Sequence, residues 1–250
     1  MVDDNTVKKI TNYCIENLDF DASGQGPEYY YASLPLCAID SVFSIGVRYE
    51  GVTNVIDRLS KHYDIQICRE IKTHTLPDRE KQISTTELIQ LLEKDSIDFL
   101  ASKVFQNRQQ TSTKKGILKV DAVIRFLKVL QEFHVEYFQD IAKIVTDKRF
   151  DDCIKGIPGQ RSGISLKYFF MLAGSTDLIK PDRWVVRFLE NASGENYHSQ
   201  KDWQEDCQKV LSAVTLGLKK ERHELTPQLV DYAIWKYMRN RIKDKKKATL

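Results

Sequence analysis

Two groups of residues between Ile154 and Leu189 have types and spacing that could do chemistry, in the stretch IKGIPGQRSGISLKYFFMLAGSTDLIKPDRWVVRFL. The first is a turn made of Gly156, Pro158, Gly159 and Gly163, with Gln160, Arg161 and Ser162 among them. Glycine lets a backbone reach conformations and close approaches that side chains forbid. A turn of this kind leading into a helix leaves backbone N–H groups aimed outward as ligands for a phosphate; a plain tight helix–helix connection has the same composition. The second group is Asp182, which follows Pro181 at the start of the next helical run. Pro suits a first helical turn, and an Asp beside it either caps its own helix or presents a carboxylate for chemistry. Each group alone has a structural explanation, and it is their conjunction that points to function.

Together they resemble the helix-hairpin-helix DNA glycosylase superfamily, which includes endonuclease III, the adenine and 8-oxoguanine glycosylases and the alkylpurine glycosylases. The family hairpin, typically L-P-G-x-G, falls on Ile157, Pro158, Gly159, Gln160 and Arg161. Its catalytic Asp, in a D-x-x-aliphatic-x-R/K setting, falls on Asp182 with Val185 and Arg187. Two positions depart from the pattern. Arg161 replaces the second hairpin glycine, with Gly163 following it, and the lysine nucleophile of bifunctional members aligns with Gly163. Lys155 and Lys167 are the nearest amines, and neither is at the family's position.

The resemblance implies an all-α, two-lobed glycosylase-like fold. One lobe runs continuously over residues 33–175 and carries the hairpin; the other is built from 1–32 and 176–250, with Asp182 at the cleft between them. It implies double-stranded DNA as partner and a flipped-out base as substrate. Asp182 then stabilises the oxocarbenium-like sugar and orients or deprotonates a water. The hairpin from Gly156 through Gly163 anchors a phosphate, in many members through a bound monovalent cation. With no amine at position 163, base removal by water and little strand cleavage are expected. Tyr168, Trp184 and Tyr30 are candidates for an aromatic wall around the base. The junction at Val47, Arg48 and Tyr49 is a candidate, by position, for filling the gap left by the base. The alternatives are a non-catalytic helix-hairpin-helix DNA-binding protein and a helical interaction protein whose glycines are structural.

The elements that must position these residues read as helices throughout. The chain has 250 residues, 42% of them hydrophobic, enough for a packed core without staples. Residues 3 to 18 are weakly amphipathic. Glu28 to Tyr31 carries three tyrosines that either stack on a base or seal a domain junction. LPLCAIDSVFSIG from Leu34 suits a buried helix, and Asp40 within it reads as an inward acid bonded to a backbone donor or an Arg before it reads as a catalyst. Ser84 and Glu87 form a capping box. Asn107 to Gly116 is an exposed loop whose Arg108, Lys114 and Lys115 suit phosphate contacts, or simply solvent. Ile117 to Phe133 is a periodic helix with Ile117, Val120, Val123, Ile124, Leu127 and Leu130 or Val129 on its buried face. Thr226 caps and Pro227 starts a last helix that ends in a lysine-rich tail.

The net charge of +3 decides nothing about nucleic acid, which depends on where the cations sit. No apolar run of about 18 residues suggests a membrane span, and the Met-Val-Asp-Asp start is unlike a signal peptide, so an intracellular protein, cytoplasmic or nuclear, is expected, working as a monomer. Cys14, Cys37, Cys68, Cys153 and Cys207 are scattered and never form a C-x-x-C pair, which argues against a disulfide framework and a zinc site. The four-cysteine loop that holds an iron–sulfur cluster in some family members is absent, so no cofactor is expected beyond the hairpin cation.

Overall fold

The computed structural model describes residues 3–20, 26–47, 49–69, 76–197, 199, 202–220 and 222–247, with side chains to residue 241. Arg48 lies outside the described residues. So do the tail lysine side chains and parts of the loops expected at Ala22 to Pro27 and Lys72 to Lys81.

In chain order the helices are α1 (Asp4–Asn17), α2 (Leu34–Phe43), α3 (Tyr49–Tyr63), α4 (Thr85–Leu92), α5 (Ile97–Phe99), α6 (Lys119–Glu132), α7 (Lys148–Gly156), α8 (Ile164–Leu172), α9 (Arg183–Ser193), α10 (Trp203–Leu218) and α11 (Pro227–Lys247). A π-helical turn over Leu100–Val104 continues α5. Among the described residues there is no strand, only isolated bridges pairing Tyr31 with Cys68 and Gln110 with Leu118. The fold class is all-α, and no described helix is long and apolar enough to cross a membrane.

The chain forms two compact units, one of Gly26–Gly174 and one of Met1–Gln25 with Ser175–Leu250. The first begins ahead of Ser33, so the tyrosines at 29 to 31 belong to it. Its centre is α2, whose apolar run leaves no polar face for solvent; the helix is covered on every side and all of its residues are buried. It packs against α3, α4, α6 and α8. A helix end buried this deeply needs partners for its last carbonyls. Lys119, itself 3% exposed, supplies them by donating Nζ–H bonds to the Phe43 carbonyl at 2.9 Å and the Ile45 carbonyl at 2.8 Å. The expected capping box starts α4, with the Glu87 N–H on Ser84 Oγ at 3.1 Å and the Ser84 N–H on Glu87 Oε2 at 2.8 Å.

In the other unit, α1, α9, α10 and α11 enclose Ile10, Cys14, Val186, Phe188, Leu211, Val214 and Ile234. Helix α9 buries Val185, Val186, Phe188 and Leu189 while Arg183 and Arg187 stay exposed. That one-sided pattern fixes the roll of α9 about its own axis. Thr226 Oγ1 accepts the Leu229 N–H at 3.2 Å, and α11 starts at Pro227.

Candidate functional site

The connection between α7 and α8 is a hairpin of two successive turns. The Gln160 N–H donates to the Ile157 carbonyl at 2.9 Å and the Gly163 N–H to the Gln160 carbonyl at 3.0 Å. Gly159 and Gly163 have φ of +86° and +72°, left-handed values that a Cβ resists. Position 161 has no such requirement, which is why Arg161 is tolerated there: the second left-handed residue is Gly163, the residue before α8. Gln160 is buried and accepts the Ser165 hydroxyl, so its side chain is a strut inside the turn; Arg161 and Ser162 are exposed. Lys155 Cε lies 3.1 Å from where a Cβ on Gly163 would stand, and its Nζ is 3.4 Å from Asp151.

Gly159 also has a packing requirement. A Cβ there would come within 2.3 Å of Thr111 Cβ, in the loop between α5 and α6. That loop is held by the Thr111 N–H on the Ile117 carbonyl and the Lys119 N–H on the Gln109 carbonyl, both at 2.9 Å. The structure thus brings the hairpin, with exposed Arg161 and Ser162, against the loop that carries exposed Lys114 and Lys115. Arg108 is different: it is ion-paired with Asp98 at 2.7 Å, so its charge already has a partner. The family's hairpin cation would need an open ring of carbonyl ligands. The Ile157 and Gln160 carbonyls each accept one of the hairpin's own amides and keep a second lone pair.

The same unit buries acids among tyrosines. The Tyr31 hydroxyl donates to Asp40 Oδ2 at 2.8 Å and the Tyr49 hydroxyl to Glu28 Oε2 at 2.8 Å. Asp40 is 0% and Glu28 5% exposed. Burial first, then the Asp40 charge, pushes the Tyr31, Tyr49 and Tyr168 phenols above their ordinary range, so they stay protonated donors. Tyr168 is buried within electrostatic reach of Asp40, Tyr29, Glu28 and Tyr49. Tyr30 is buried too, its carbonyl taking the Arg69 N–H at 2.9 Å. An open pocket of about 540 Å³ is lined by Ser33, Tyr63, Gln82, Glu87 and Lys94 among others, and by none of the expected site residues.

Asp182 caps α9. Its Oδ1 accepts the N–H of Trp184 at 2.7 Å and of Val185 at 3.4 Å, and its own N–H donates to the Lys180 carbonyl at 2.7 Å. It is half-buried. Trp184 packs partly against the core enclosed by α1, α9, α10 and α11, with the Arg183 guanidinium 4.9 Å over its ring. Close to Asp182 is a residue that sequence reasoning passed over, Asp231 of α11. It is 6% exposed and its Oδ1 has no hydrogen-bond partner. Burial, then the Asp182 charge, pushes its carboxyl well above the ordinary range. The signal for it was an acid set between Val230 and Ile234, on the apolar face of its helix.

A family model described as a domain of unknown function (DUF8548) matches residues 8–239. No curated protein and no solved structure matches the chain.

Proposed function

We propose that this chain, which belongs to the family described as a domain of unknown function (DUF8548), is a DNA glycosylase-like base-excision enzyme with the two-lobed helix-hairpin-helix architecture. It hydrolyses the N-glycosidic bond of a damaged or modified base flipped out of double-stranded DNA, acts as an intracellular monomer without an iron–sulfur cluster, and leaves the strand uncut. The observation that carries this reading is the α7–α8 connection: a hairpin with Gly159 and Gly163 both left-handed, followed along the chain by an Asp at the start of the next helix.

Flipping the base costs roughly a few kcal/mol of stacking and pairing, least where the base is damaged or mismatched. As the C1′–N bond breaks, its electron pair leaves with the base, which takes up a proton, and positive charge builds on the sugar. The Asp182 carboxylate stabilises that charge and accepts a proton from the water whose oxygen bonds to C1′. The cap bonds to Trp184 and Val185 hold the carboxylate while this happens. Arg161, Ser162, Lys114 and Lys115 contact backbone phosphates and set register without reading sequence. Gly163 supplies no amine for a Schiff base, so water is the nucleophile.

The test is a base-release screen on duplex oligonucleotides carrying uracil, 8-oxoguanine, alkylated purines or mismatches, with Asp182→Asn beside the wild type. Release by the wild type and none by the variant is expected. Release that persists in the variant removes Asp182 from the chemistry. The second reading, a non-catalytic helix-hairpin-helix DNA-binding protein, draws support from the cap bonds, which alone justify an Asp at position 182. It takes over if DNA binds in a salt-sensitive manner and no lesion is released.

A further inference from the structure

Val230, Ala233, Ile234 and Met238 of α11 are buried in the core, and Tyr232, Trp235, Lys236 and Arg239, three or four places apart, form a half-buried stripe on the opposite side of the helix. The rings of Tyr232 and Trp235 are stacked, with 5.7 Å between centroids and 21° between planes. Each ring carries a cation: the Arg239 guanidinium is 5.0 Å from the Trp235 centroid, and Lys236 Nζ is 5.9 Å from that of Tyr232. The helix runs on to Lys247, and the same spacing continues along the chain at Lys243, Lys246 and Lys247. Elsewhere exposed cations are paired along their own helices, Arg125 with Asp121 at 2.9 Å, Lys155 with Asp151 at 3.4 Å and Lys209 with Glu205 at 3.8 Å. Lys236, Arg239 and Lys243 of α11 have no acid three or four places away along the chain.

From this stripe we propose that α11 is a binding surface for single-stranded nucleic acid. Its cations meet the phosphates, and the stacked rings, with the guanidinium laid on them, give unpaired bases a flat layer to stack on. A cation that rides on a ring keeps its charge for an outside anion, and the ring holds the long side chain in place, so less side-chain entropy is lost when a phosphate arrives. Duplex phosphates would need the cations alone, because paired bases offer no free face to a ring; the interleaving of rings with cations favours an unpaired strand. A membrane surface is the poorer occupant, since the apolar side of α11 is buried in the core and has nothing to insert between lipids. The surface needs no carboxylate and no base excision, so it stands apart from the glycosylase reading.

Fluorescence anisotropy of a labelled, mixed-sequence single-stranded DNA, titrated with the full chain at several salt concentrations, tests this, with a duplex of the same sequence and phosphatidylserine vesicles beside it. The double variant Lys236→Gln and Arg239→Gln should bind the single strand about tenfold or more weakly at low salt, with the slope of log K against log salt lowered by about 1.4, that is about 0.7 for each of two phosphates. Trp235→Ala changes no charge; it should bind the single strand about tenfold more weakly, the size of one lost base stack, and hold the duplex as the wild type does. Thermal unfolding checks that each variant is folded; where Trp235→Ala is not, Trp235→Leu keeps apolar volume without the ring and decides. A wild type that does not hold the single strand overturns the inference. So does a double variant with unchanged affinity and slope, a Trp235 variant that binds the single strand at full strength or loses the duplex equally, or binding of the vesicles in place of the single strand. A chain that binds the single strand through α11 and releases no base in the screen above loses the glycosylase reading alone.

Discussion

Asp182 holds two jobs that substitution can separate. Asparagine is as good an N-cap as aspartate, so Asp182→Asn should unfold within a few tenths of a kcal/mol of the wild type in denaturant while base release disappears. Asp182→Ala should lose the bonds to Trp184 and Val185 and cost about 1 kcal/mol in addition. Equal stability of the two variants would mean that the cap is idle. Asp231 makes a prediction of opposite character. Its folded-state carboxyl sits well above its ordinary value of 3.8, so the unfolded chain gives up this proton first as pH rises. The stability that Asp231 contributes is complete in acid and is lost as pH climbs from 3.8 through the raised folded value. Asp231→Asn should remove this slope and be the more stable protein at neutral pH, read by urea unfolding across the pH range. The two aspartates were unequally legible. A Pro-Asp pair ahead of an apolar-periodic run announces a cap, whereas the meaning of Asp231 depends on what α9 and the Lys180 segment place beside it.

Among the elements, the hairpin and the loop before α6 depend on each other where Gly159 meets Thr111. Gly159 is constrained twice, by its φ of +86° and by Thr111 at 2.3 Å from a would-be Cβ. Gly159→Ala should therefore destabilise by about 2–5 kcal/mol, the sum of left-handed strain and overpacking. Thr111→Gly in the same chain should recover the overpacking share and leave the strain, giving a coupling measurable by a double-mutant cycle. Full additivity would show that the loop does not press on the hairpin. Glycine spacing announced that a turn stands here, because left-handed backbone is a local need. That the same glycine also makes room for Thr111 could not be read from the chain, since the two residues lie far apart along it. The capping box of α4 is the opposite case: Ser84 and Glu87 meet within one turn, and the pattern that announced the box is also the mechanism that makes it.

For the whole molecule the charge balance of +3 is small, and what matters is the placement of exposed cations. Replacing Lys114, Lys115 and Arg161 together by alanine should weaken duplex binding uniformly across sequences and lower the slope of log K against log salt by about 0.9 for each phosphate that the protein no longer neutralises. Arg108→Ala should change it little, because Asp98 already neutralises that side chain. Titration of a fluorescent duplex at several salt concentrations measures both. An unchanged slope in the triple variant would place the DNA surface elsewhere.

The residue order was sufficient for the helical class, the caps, the left-handed glycines and the position of an acid at the head of a helix, because each depends on neighbours within about one turn. The packed chain was needed for the rest. Tyr49 meets Glu28, Tyr31 meets Asp40 and Thr111 meets Gly159 only once distant segments are folded together. The raised carboxyl of Asp231 and the raised phenols around Asp40 exist for the same reason: a side chain acquires them from burial and from charges that the chain order keeps far away.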